Sequence, residues 1–122
     1  MIVVFGSSMS DESSVDLRVR VTDMQGRAME LNGSLDICYD RYDDGRACLA
    51  IEPNTNYALG TVGTLRNTRD TVGIALTIAS GREESIVVHI AILIQQDIVA
   101  SEAITFIANP GSWESELSIR YR

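Results

Sequence analysis

The sequence predicts an all-β chain, an antiparallel β-sandwich of eight or nine strands with jelly-roll or Ig-like Greek-key connections. Three observations carry this. Apolar and polar residues alternate with period two along most of the 122 residues, the pattern of strands with one buried face. Turn signals built from Gly, Asn, Asp and Pro recur about every ten residues, the rhythm of sandwiches and barrels. No stretch holds a helical period for long; at most one short helical turn is expected, at 95–101.

Residues Ile2, Val3, Val4 and Phe5 form a candidate first strand, and the Ser-rich stretch after them has the composition of a flexible linker. The chain therefore divides into residues 1–14, strand plus linker, and a single sandwich domain at 15–122. A tethered terminal strand can pair with its own sheet or with a second copy. Val15, Leu17, Val19 and Val21 alternate with Asp16, Arg18, Arg20 and Thr22, a half-buried strand. A turn at Gly26 and a short strand at 28–31 follow, ending at Asn32-Gly33.

Leu35, Ile37 and Tyr39 share a face opposite Asp36, Cys38 and Asp40. Asp43-Asp44-Gly45 reads as a three-residue loop with Gly45 left-handed, which sets Tyr42 opposite Arg46 and Cys38 opposite Ala50. Cys48 is then only a diagonal neighbour of Cys38. Two free thiols are the expected state, and a disulfide requires a register shift or some twist. Residues 57–65 read as an edge strand or a long connection. At 72–78, Val72, Ile74, Leu76 and Ile78 alternate with small residues, and this strand is the expected hairpin partner of 86–94. Further strands are expected at 103–108 and around Leu117, Ile119 and Tyr121.

The run Ile86–Ile94 is the most informative feature, because His89 is its only polar side chain. It is too short to cross a bilayer as a helix, which needs ~20 apolar residues, and its β-branched content favours a strand. Both faces of that strand need cover. Its seven Ile, Val and Leu residues supply roughly 10–20 kcal/mol of gross burial if covered, and an aggregation hazard if not. Thr71, Gly73, Ala75 and Thr77 are expected to extend the second face into a smooth surface centred on Val87, His89, Ala91 and Leu93. Those four, with Ile2, Val3, Val4 and Phe5, are the candidate interface residues.

Composition narrows the function classes. The net charge of −7 disfavours nucleic acids and anionic membranes. All ten basic residues are Arg, so the lysine-free chain can form no Schiff base and no P-loop. The opening residues lack a positive n-region, and their apolar stretch is too short for a signal peptide. That predicts a soluble, cytoplasmic chain; secretion stays open, since two cysteines fit either redox setting.

Catalytic chemistry finds little support. His89 is the only histidine and sits in an apolar strand, which suits a hydrogen-bonded core or interface residue better than a general base. No nucleophile elbow, dinucleotide fingerprint or zinc spacing is present. Asp40, Asp43 and Asp44 could supply oxygens to Ca²⁺, but Arg41 and Arg46 lie among them and favour local ion pairs. Trp113 follows a turn, where it could stack on a carbohydrate or cap the core. The expectation is a non-catalytic, self-assembling sandwich that needs no cofactor and whose partner is itself. The alternative is a module binding carbohydrate or Ca²⁺ at its loop ends.

Overall fold

The computed structural model describes residues 13–28, 35–41, 45–51, 57–65, 70–78, 84–108 and 113–122. Eight strands form: β1 Ser14–Thr22, β2 Leu35–Arg41, β3 Gly45–Ile51, β4 Tyr57–Thr64, β5 Thr71–Ile78, β6 Ile86–Ile94, β7 Asp97–Phe106 and β8 Trp113–Arg120. They make two antiparallel four-stranded sheets, ordered β4-β1-β6-β7 and β3-β2-β5-β8. The fold is a β-sandwich. Only the β2–β3 and β6–β7 links stay within a sheet; the other connections cross from one to the other. β1 and β2 thus lie in different sheets, unlike the first two strands of an immunoglobulin domain.

The alternation explains the core. Val15, Leu17, Val19 and Val21 of β1 and Ile86, Val88, Ile90 and Ile92 of β6 are all fully buried, facing Leu35, Ile37, Val72, Ile74 and Leu76 of the other sheet. A one-residue slip of β1 against β6 would turn the four β1 side chains out of the core, so hydrophobic burial pins the register.

Three expectations are corrected. β5 is not the hairpin partner of β6: β5 pairs with β2 and β8, and β6 with β1 and β7. Each sits at the centre of its own sheet, with both of its edges paired. Residues 79–85 are long enough to cross the ~10 Å between sheets. The surface of Thr71, Gly73, Ala75 and Thr77 therefore lies on the opposite side of the sandwich from that of β6.

The β2–β3 loop closes one residue earlier than expected. Gly45 is left-handed as read from its turn, but it pairs with Arg41, so Cys38 stands directly opposite Cys48. The two are joined as a disulfide, with Cα atoms 4.0 Å apart. The free-thiol expectation falls with the register.

No helical turn occurs at 95–101. Gln95 (φ 53°) and Gln96 (φ 69°) form the two-residue turn of the β6–β7 hairpin, and β7 starts at Asp97 rather than 103. Two-residue hairpins of this type require φ > 0 at both central positions and usually use Asn-Gly. Without a glycine the turn was not legible. Finally, of the strand expected at 28–31, only a bridge between Ala28 and Thr22 falls among the described residues.

Candidate binding face

The outer side of the β4-β1-β6-β7 sheet is built in cross-strand ranks. Tyr57, Arg20, His89 and Ala103 form the first; Leu59, Arg18, Ala91 and Ser101 the second; Thr61, Asp16, Leu93 and Ile98 the third. Strand geometry places them on one side because each alternates with a core residue. In the first two ranks β4 and β1 carry only large side chains, whereas β6 and β7 carry Ala91, Ala103 and Ser101 beside His89. Between them lies an open hollow of about 950 Å³, bordered on the β7 side by Ile98 and Glu102.

Several of these residues are apolar and uncovered. Tyr57 is 53% exposed, Leu59 58% and Ile98 54%, a concentration that marks interaction sites. Asp16 is engaged, accepting hydrogen bonds from Thr61 Oγ1 (3.2 Å) and Ser14 Oγ (3.3 Å). Arg18 and Arg20 make no ion pair or hydrogen bond among the described residues. Their guanidinium groups stand at adjacent ranks of one strand and repel each other, in a chain whose net charge is −7.

His89 Nε2 lies 2.8 Å from Thr22 Oγ1, and Thr22 Oγ1 donates to the Asp23 carbonyl at 3.0 Å. A hydroxyl has one proton to give, so Nε2 carries the hydrogen and donates to Thr22. Burial first, and the Arg20 charge second, hold the His89 pKa below its ordinary value. The imidazole is thus held neutral and oriented toward Thr22.

The face contains all four β6 candidates read from sequence. His89, Ala91 and Leu93 line the hollow; Val87 lies one rank beyond, between Thr22 and Thr105. Ile2, Val3, Val4 and Phe5 fall outside the described residues, as do Asp43 and Asp44. Asp40 sits on the other sheet, where Arg46 Nε donates to it at 3.4 Å. Among the described residues, no three acidic, His or Cys side chains converge as a metal site. Trp113 opens β8 opposite Ile78, also in the other sheet.

Sequence reasoning missed Arg18, Arg20, Tyr57, Leu59, Ile98 and Ser101. The alternation puts Arg18 and Arg20 on a wet face, but nothing local says that β4 and β6 flank them.

No protein-family model matches the chain, and no curated protein matches it. Among solved structures, the chain is similar to a DUF4425 family protein from Bacteroides ovatus ATCC 8483, with a TM-score of 0.57, 10% identity, and coverage of 88% of this chain and 94% of that one. At that identity the likeness extends to the fold, the two-sheet sandwich, and no further.

Proposed function

We propose that this chain is a non-catalytic β-sandwich that self-associates through the outer face of the β4-β1-β6-β7 sheet. The observation that carries the reading is the uncovered apolar set Tyr57, Leu59 and Ile98 around a hollow floored by Ala91 and Leu93. The β7 edge is a poorer route to assembly. Glu102 sits at a core-facing position opposite Ile90, and a bulge leaves Val99 unpaired; both features discourage edge-to-edge pairing.

Light scattering coupled to size exclusion, from micromolar to millimolar chain, tests this. A concentration-dependent dimer is expected, and Leu59→Asp should return it to monomer; a strict monomer at every concentration rejects the reading. A truncation lacking residues 1–12 should leave the dimer intact, whereas strand donation would make it essential.

A second reading rests on Arg18 and Arg20. The same hollow could hold a small ligand, its anion on the guanidinium pair and an apolar or sugar ring against Tyr57. A rise in melting temperature with such ligands, for a chain that stays monomeric, would favour it. The disulfide supports an oxidising compartment rather than a cytoplasmic one.

A further inference from the structure

Resting on the second of those readings, we infer the class of ligand that the hollow takes: a dissolved amphipathic anion. Its oxyanion head is held by Arg18 and Arg20, and its apolar chain lies along β6 and β7, over Ala91 toward Leu93 and Ile98.

The head follows from charge. The two arginine ranks contain no carboxylate, and neither does the set Thr22, Val87 and Thr105 beyond them. Two carboxylates border the hollow from elsewhere. Glu102 stands at a core-facing position opposite Ile90. Asp16 lies in the third rank, with one oxygen on Thr61 Oγ1 and the other on Ser14 Oγ. Neither forms an ion pair with Arg18 or Arg20. An oxyanion between the two guanidinium groups relieves their repulsion and accepts charge-assisted N–H donors from both.

The chain follows from the lining. Ala91, Leu93, Ile98 and Ala103 offer an apolar track, and Ile98 is 54% exposed, so a chain laid there removes apolar surface from water. In the arginine ranks only Tyr57 and Ser101 carry hydroxyls. A sugar, whose own hydroxyls each need a partner, is poorly matched to such a floor. Asp16 also gives the site a direction. It repels an anion from the third rank, two ranks or ~14 Å from Arg20, so the head sits at the His89 end and the chain points to Leu93 and Ile98. An anionic bilayer presents the same head chemistry, but the net charge of −7 opposes approach to that surface.

Calorimetric titration of the full chain with octyl sulfate, kept below its micelle-forming concentration, tests this. Octyl sulfate should bind at least about tenfold tighter than inorganic sulfate or octyl glucoside, because each lacks one half of the match. It should also raise the melting temperature. His89 is the only histidine, so its ring proton signals report occupancy and should shift along the same binding curve. Arg18→Gln with Arg20→Gln, both at exposed positions, should weaken binding by about tenfold or more. Ile98→Ser should weaken octyl sulfate and leave inorganic sulfate unchanged.

Octyl glucoside binding as tightly as octyl sulfate, or an arginine variant that binds as well as the native chain, overturns the proposal. A fall in melting temperature also overturns it, since the probe then prefers the unfolded chain. Inorganic sulfate binding as tightly as octyl sulfate overturns the amphipathic class and leaves an anion on the arginine pair standing. Binding to phosphatidylglycerol vesicles without binding of octyl sulfate replaces the dissolved ligand by a membrane surface. No binding of any of these anions overturns both the class and the small-ligand reading beneath it.

Discussion

Tyr39 crosses the core from β2 to β4 and occupies the space above Gly60. Its hydroxyl donates to the Thr61 carbonyl at 3.5 Å, and a Cβ added at Gly60 would fall 2.5 Å from the Tyr39 hydroxyl oxygen and 3.1 Å from Leu49 Cδ1. The ring is only 3% exposed, so it has little room to yield. Gly60 is therefore a close-approach glycine that sets how near the two sheets can come.

Gly60→Ala should destabilise the fold by about 1–3 kcal/mol through overpacking. Gly73 provides the control. A Cβ there would meet only Asp40 Oδ2, at 2.6 Å, the end of an exposed side chain that can swing aside. Gly73→Ala should change stability by no more than ~0.5 kcal/mol. Urea denaturation of both variants checks the contrast, and equal effects would contradict it.

Replacing the Cys38–Cys48 pair by alanines should cost about 2–3 kcal/mol, the loop-closure entropy for a separation of 10 residues. Reductant should lower the denaturation midpoint of the native chain by a similar amount, because Cys48 is exposed. The double variant should then be insensitive to reductant.

The hairpin turn at Gln95 and Gln96 should be improvable. Both residues hold left-handed φ values that Asn and Gly adopt more readily. Gln95→Asn with Gln96→Gly should stabilise by about 1–2 kcal/mol. The exposed hydrogen bond from Gln95 to Ser13 Oγ (2.9 Å) is lost in that change and offsets little. Thermal melts of the single and double variants would measure it.

The lowered pKa of His89 has a definite sign. The unfolded chain, near 6.5, takes up a proton more readily than the folded one, so acidification favours unfolding. The His89 contribution should be complete above pH 6.5 and decline as pH falls from there toward the folded value. His89→Gln, which can still donate to Thr22, should flatten stability between about pH 7 and pH 5 while changing it by no more than ~1 kcal/mol at pH 7. An unchanged slope would mean that His89 does not carry it.

Much of this was legible because the underlying signal is local. A side chain's face in a strand depends on its own chain alone, so Val15 to Val21 and the both-sided apolar run at β6 identify strands, faces and a sandwich without any partner being known. The four β6 candidates lie on the outer face for the same reason. Turn geometry was legible where glycine marks it, as at Gly45, and hidden where Gln95 and Gln96 adopt the same backbone without that mark.

What the sequence by itself determined is therefore the fold class, the inward and outward set of each strand, and the absence of a recognised catalytic motif. Only the tertiary structure decided that β6 pairs with β1 and β7, that Cys38 meets Cys48, and that Arg18 and Arg20 stand between Tyr57 and Leu59 on one side and His89 and Ala91 on the other. Those outcomes depend on which distant strands pair and in which register. The pairing is chosen by the summed burial of two whole sheets, and no single segment of the chain carries that sum.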